Sequence, residues 1–233
     1  MIELRPYSEL GGDKMDWLDT RHHFSFANYF DPDRVHWGNL RVWNDDIIAS
    51  NAGFPPHPHR DMEIITYVRK GAITHRDNLG NNGRTEAGDV QVMSAGTGIV
   101  HSEYNFEKEP TEIFQIWIIP THNGEQPSWG TRPFPGRDRS GSFVTLASGD
   151  ANDSDALPIR TDAKVVAANI RAGESAEYPL GTARKAYLVP ATGAIRIDDV
   201  TVNARDGVAI SDLDVVTVTA IEDSEIILVD AAA

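Results

Sequence analysis

Short runs of β-branched and aromatic residues, separated by Gly, Asn, Asp and Pro, recur along the whole chain. They predict strands at Asp61–Arg69, Asp89–Met93, Ile113–Ile119, Phe143–Ala147, Val165–Ile170, Lys185–Val189, Val215–Thr219 and Glu225–Asp230. Many short strands with turn signals between them describe an all-β sandwich or barrel. Apolar residues at helical spacing are not sustained anywhere, and only Glu9–Asp19 leaves room for a turn or two of helix. The longest unbroken apolar stretch is short, as at Ile116–Ile119, whereas a membrane helix needs about 20 such residues.

The pattern changes character near the middle. Pro127–Ser142 is dense in Pro, Gly and Arg, which is linker or turn chemistry, and a second loop-like patch follows at Ser148–Pro158. A chain of 233 residues divided there yields two β domains of roughly a hundred residues each, set at 1–133 and 134–233. Beyond a shared strand rhythm the halves show no residue-level repeat. They differ chemically, because all eight histidines lie at or before His122. Any chemistry that uses imidazole is therefore expected in the first domain.

Charge and composition narrow the function. The net charge is −14, with 14 basic against 20 acidic residues up to Arg139 and 7 against 15 beyond it. Both halves are acidic, so neither presents the basic surface that nucleic acid requires. The absence of cysteine removes disulfides, iron–sulfur clusters and thiolate zinc sites. The first residues, MIELRPYSEL, lack the basic flank and apolar run of a secretory signal, and a cytoplasmic location is expected.

Two segments carry the candidate chemistry. One runs Gly53-Phe-Pro-Pro-His57-Pro-His59-Arg-Asp-Met-Glu63 and on to Gly71; the other runs from Gly88 through Gly96 and Gly98 to His101-Ser-Glu103-Tyr-Asn105. In a strand, residues i and i+2 point to the same face. His57 with His59 forms one such pair, and His101 with Glu103 forms another. Neighbouring strands carrying both pairs inward would direct three imidazoles and a carboxylate at one point. That set suits a divalent first-row metal with positions left open for substrate or dioxygen. Iron, nickel, cobalt, copper, manganese and zinc are all compatible with it.

These segments resemble the two cupin motifs, and their wording is similar to that of the pirin family. The stretches that match are His22–Pro32, Leu40–Asp46, Gly53–Gly71, Met93–Asn105 and Phe114–Pro120, which span most of the first 120 residues. The resemblance implies a bicupin, two jelly-roll-like barrels in tandem, with iron the favoured metal. General cupins take a carboxylate ligand from the first motif, which would be Glu63, but seven residues separate Glu63 from Gly71 where six are usual. Pirins take it instead from the second motif, which maps onto Glu103. Strand parity agrees, since Glu63 would lie roughly 13 Å down an extended strand from His59. Glu63 is then a structural or ligand-orienting carboxylate. Gly96 stands where the general motif has proline.

The resemblance is closest to bacterial pirin-like quercetin 2,3-dioxygenases. It implies a flavonol and dioxygen as substrates, ring opening with loss of carbon monoxide, and Glu103 as both ligand and base. A second reading, carried by other pirins, is a metal-containing protein-interaction module without catalysis. A third, a cupin isomerase or sugar-binding protein, would want polar or basic residues facing the ligand, whereas the first motif offers Phe54, Pro55, Met62 and Ile64.

The remaining residues of interest receive structural expectations. Phe24 and Phe26, beside His22 and His23, are candidates to wall the metal pocket. His36, His75 and His122 are expected in solvent or in local hydrogen bonds. The five tryptophans are expected to pack in the core, Asn105 to orient a ligand, and Arg132, Arg137 and Arg139 to lie on a solvated linker. Free imidazole titrates near 6.5, so metal is expected to leave as pH falls below about 6.

Overall fold

A computed structural model of the chain describes residues 1–134 and 139–233. The chain is an all-β bicupin. In the N-terminal half a seven-stranded antiparallel sheet runs Ser128–Arg132, Val90–Ser94, Glu63–Lys70, Thr111–Ile118, Leu40–Ile48, Leu18–His22, Gly11–Lys14. A four-stranded sheet of Ala52–His59, Ile99–Asn105, Ala72–Asp77 and Asn82–Glu86 faces it. The C-terminal half repeats this arrangement. Its larger sheet centres on Arg184–Thr192, Ser224–Ala232 and Ala163–Ile170, and its smaller one on Val215–Ala220 and Ala194–Ile197. The first strand, Ile2–Arg5, pairs with Gly207–Ser211 and so belongs to the C-terminal half's sheet. No helix among the described residues is long and apolar enough to cross a membrane.

The two large sheets pack against each other, and this explains the near-continuous apolar runs. A strand buried on both faces has no polar side to show. Ile65, Tyr67, Trp43, Phe114 and Ile116 meet Leu146, Val165, Tyr187, Ile227 and Val229 in the largest core, between the halves. Residues of the opposite parity fill each barrel. In the C-terminal barrel that interior is apolar, with Val166, Ala168, Leu188, Ile195, Val208, Val218 and Leu228 among its members.

The N-terminal barrel differs. Its two ends are apolar, one built from Leu18, Ile48, Val68, Ile73 and Ile113, the other from Ile64, Met93, Ala95 and Ile99. The layer between them is polar: Asn44, Asp46, Thr66, His75, Gln91, His101, Glu103 and Gln115 are all buried.

Three expectations fail here. Glu9–Asp19 holds only the end of a single 3₁₀ turn, Tyr7–Glu9, and continues into the hairpin of Gly11–Lys14 with Leu18–His22. The stretch Pro127–Ser142 is not simply linker, because Ser128–Arg132 pairs as an edge strand with Val90–Ser94. Arg139 is buried rather than solvated: it donates to Tyr67 Oη at 2.8 Å and lies 3.3 Å from the Glu225 carboxylate. Arg137 falls outside the described residues. Arg132 stays partly exposed beside Asp155.

Candidate metal centre

The four-stranded sheet builds the site because three adjacent strands present the same parity inward. His101 lies opposite His57 on one side and Asp77 on the other, and Glu103 lies opposite His75. A bulge between His101 and Glu103 in the pairing with Ala52–His59 offsets the register by one residue. Gly53 permits the close approach there, since a Cβ on it would meet the Glu103 carbonyl oxygen at 2.2 Å.

The ligating nitrogens of His57, His59 and His101 converge within 4.8 Å of one another. His57 Nε2 and His101 Nε2 are 3.1 Å apart. Hydrogen bonding decides where their protons are. His57 Nδ1 lies 2.7 Å from the Pro55 carbonyl, which only accepts, so Nδ1 carries the hydrogen and Nε2 is bare. On the other side, Asp77 accepts from Leu79 N, Asn81 N and Asn81 Nδ2 at 2.9, 3.0 and 2.8 Å. Burial works against its charge, but these bonds and the one from His75 hold its carboxyl below the usual range. His75 Nε2 therefore donates to Asp77 Oδ2 at 2.9 Å, leaving His75 Nδ1 to accept from His101 Nδ1 at 3.3 Å. That leaves His101 Nε2 bare as well.

With both rings neutral, the two Nε2 lone pairs face each other across 3.1 Å. They repel unless a cation lies between them. Metal–imidazole bonds of about 2.1 Å place neighbouring ligand nitrogens about 3 Å apart, so the spacing fits a metal. Burial, followed by the neighbouring histidines, lowers His101 to about 2, and burial with His57 lowers His59 to about 4. Both are neutral donors near pH 7.

Glu103 is not among the ligand atoms that converge; its carboxylate is occupied by side chains of the large sheet. Gln91 Nε2 donates to Oε1 at 2.5 Å, Thr66 Oγ1 donates to it at 3.1 Å, and Gln115 Nε2 donates to Oε2. Burial raises the carboxyl to about 7, with the Thr66, Gln115 and Gln91 bonds pulling the other way. Glu63 is elsewhere: it accepts from Ser94 Oγ at 2.6 Å and from the Arg160 amide at 3.1 Å, tying the two halves together.

A cavity of about 340 Å³ opens in front of His57 and His59. Phe26, Phe54 and Trp117 give it aromatic walls, Met15 and Leu18 add apolar surface, and Asn44, Asp46 and Gln115 also line it. Trp117 meets His59 edge-on, with ring centroids 5.0 Å apart. A larger, open depression of about 780 Å³ lies away from the histidines among paired charges such as Arg184 with Asp230. Of the two, the smaller cavity is the one lined by His57 and His59.

Several site residues differ from expectation. Phe26 lines the cavity, but Phe24 does not: it is fully buried between the halves against Tyr187. His75, expected in solvent or in local hydrogen bonds, makes the local bond to Asp77 but is completely buried and stacks on Trp129 at 4.7 Å. Its spacing to Asp77 repeats the i, i+2 pattern of the other pairs, which is the signal that would have found it. Asn105 orients no ligand; its Nδ2 donates to the carbonyls of Ile48, Ala49 and Glu109 and secures the turn after its strand. His22 lines the cavity, whereas His23 is buried at the interface beside Tyr187 Oη at 2.9 Å. Burial and Arg5 lower His23 to about 3.

Two tandem barrels, one with an apolar interior and one with converging imidazoles, define a bicupin with a single metal-type centre among the described residues. The chain belongs to the pirin family, whose profile matches residues 3–118, while residues 145–231 match a family described as the quercetinase C-terminal cupin domain. It is 64% identical over 232 residues to a pirin-like protein of Caulobacter vibrioides, covering 100% of both chains. It is 39% identical to the quercetin 2,3-dioxygenase of Escherichia coli K12, covering 99% of this chain and 98% of that one. The crystal structure of the bacterial pirin YhhW from Escherichia coli in complex with nickel(II) superposes with a TM-score of 0.93. It shares 39% identity, over 100% of this chain and 99% of that one.

Proposed function

We propose that this protein is a metal-dependent dioxygenase that opens the central ring of flavonols with release of carbon monoxide. The observation that supports it most is the convergence of the His57, His59 and His101 nitrogens within 4.8 Å of one another at the foot of an aromatic-walled cavity. His57, His59, His101 and Glu103 are the proposed ligands. When bound, a divalent first-row metal would supply a Lewis-acid position for the adjacent oxygens of a flavonol and for dioxygen. The same donor set accepts iron or nickel.

The chain's own residues divide the remaining work. Phe26, Phe54 and Trp117 hold a flat aromatic ring system between them. Glu103, raised to about 7, is suited to take the flavonol 3-hydroxyl proton, because a base works best with a pKa near the operating pH. His75 and Asp77 fix the tautomer in which His101 offers Nε2. No Lys or Arg lines the cavity among the described residues, which disfavours a phosphorylated or sugar-acid ligand.

The test is oxygen consumption with quercetin by protein loaded with each candidate metal, with carbon monoxide measured as product. Turnover within roughly 1–10³ s⁻¹ is expected for at least one metal. Consumption no greater than that of the metal-free protein would overturn the enzymatic reading and leave the protein-interaction role.

A further inference from the structure

The inner face of the N-terminal large sheet carries an unbroken row of polar side chains across five strands. His22 lies opposite Asn44, Asn44 opposite Gln115, Gln115 opposite Thr66, and Thr66 opposite Gln91. All five are buried. A polar row inside a barrel is costly unless its hydrogen-bonding groups are satisfied.

One end of the row meets that condition. Gln115, Thr66 and Gln91 all donate to Glu103, and Trp117 Nε1 donates to Gln115 Oε1 at 3.2 Å. The other end does not. Asn44 Oδ1, His22 Nδ1 and, two residues along the strand from Asn44, Asp46 Oδ1 have no hydrogen-bond partner among the described residues. Asn44 and Asp46 are 4% and 2% exposed, and both line the cavity in front of the histidines. The C-terminal barrel has apolar residues throughout the corresponding layer, so the fold itself does not require such a row.

We propose that Asn44 and Asp46 hydrogen-bond hydroxyl groups on the ligand other than its metal-chelating oxygens. The inference rests on the flavonol reading and deepens it: the substrate class is narrowed to polyhydroxylated aromatic chelators. Asn44 Oδ1 accepts, and the Asp46 carboxyl, raised by burial to about 7, accepts or donates, so the groups that satisfy both are hydroxyls. Neighbouring strands are about 4.8 Å apart, which places Asn44 about 5 Å and His22 about 10 Å across the sheet from Gln115. A site built to bond a hydroxyl discriminates strongly against the analogue lacking it, because its own buried groups are then left unpaired.

The test measures binding to the whole metal-loaded protein under nitrogen, by calorimetry, which separates recognition from turnover. The ligands are 3-hydroxyflavone, which has the chelating pair alone, its 5,7-dihydroxy derivative, and quercetin. At least one polyhydroxylated member is expected to bind about tenfold or more tighter than 3-hydroxyflavone. In the Asn44→Leu, Asp46→Leu double variant that gap should shrink to under about twofold. Asn44→Asp, which keeps an acceptor in place, should retain it. Equal binding of all three by the unmodified protein overturns the inference even if the double variant does not fold, and so does a preference that survives in the double variant. Binding by none of them, including 3-hydroxyflavone, overturns the flavonol reading as well.

Discussion

His75 and His101 face each other through their Nδ1 atoms at 3.3 Å, and only one of the two nitrogens carries the shared hydrogen. Because Asp77 claims the proton on the far side of His75, His101 must be the donor, and its Nε2 is left to bind a cation. A residue that touches no proposed substrate thus sets the form of a proposed ligand.

Replacing His75 with Ala, or Asp77 with Asn, should weaken metal affinity about 10–100-fold while the protein stays folded, the usual cost of losing such a partner. Competition against a chelator of known strength measures this. An unchanged affinity in both variants would show that the tautomer is set some other way.

Glu103→Gln should reduce metal affinity far more than Glu63→Gln. Glu63 joins Ser94 to the Arg160 backbone, so its loss should lower unfolding free energy by about 1.5–3 kcal/mol and leave metal content intact. Metal analysis and urea denaturation of the two variants separate these effects. A Glu63→Gln protein that loses metal while Glu103→Gln keeps it would reverse the assignment.

Metal should bind at one transition-metal equivalent per chain, in the N-terminal barrel. No His or Cys follows His122, and the C-terminal barrel interior is apolar. A His57→Ala, His101→Ala double variant should retain none. Metal that persists in it would show that binding does not depend on His57 and His101.

The pH dependence follows from burial. With His59 lowered to about 4 and His101 to about 2, protons do not compete for these nitrogens until well below the pH of about 6 expected from free imidazole. Metal should survive dialysis at pH 5; its loss there would contradict these shifts. In the metal-free protein the unfolded chain takes up protons on both histidines as pH falls through 6.5, while the folded chain does not. Their contribution to stability is therefore full above 6.5 and declines below it, toward pH 4 for His59 and further for His101. Glu103, raised to about 7, acts in the opposite sense: its contribution is full below its unfolded value of 4.5 and is lost as pH rises through 7. His59, His101 and His23 outnumber Glu103, so the stability of the metal-free protein should fall from pH 6.5 toward 4.5, and fall more steeply in Glu103→Gln, which lacks the opposing trend. Equal slopes in the two proteins would mean that Glu103 does not hold its proton.

The period-2 rhythm of short apolar runs was enough to identify an all-β protein with strands near their observed positions. Glu63–Lys70, Ala163–Ile170 and Ser224–Ala232 each lie within a few residues of the predicted run. The histidine spacings were legible for the same reason, since parity along a strand is a local property. Misjudgements fell where local signals were weak or misleading. Gly11–Lys14 carries no apolar alternation and exists as a strand because Leu18–His22 pairs with it. Ser128–Arg132, in a segment rich in Pro and Gly, is held by Val90–Ser94. Arg139 looked solvated because its partners, Tyr67 and Glu225, are 72 and 86 positions away.

Alternation and spacing, which depend only on the geometry of a single strand, determined the fold class and which of His57, His59, His101 and Glu103 share a face. Which strands lie side by side depends on contacts between residues distant in sequence, and no local pattern encodes those. Only the tertiary structure therefore decided that Ala72–Asp77 lies against Ile99–Asn105, bringing His75 behind His101. It likewise decided that Phe24 faces the second half while Phe26 faces the cavity, and that Asn44 Oδ1 and Asp46 Oδ1 end in an interior where no described residue bonds them.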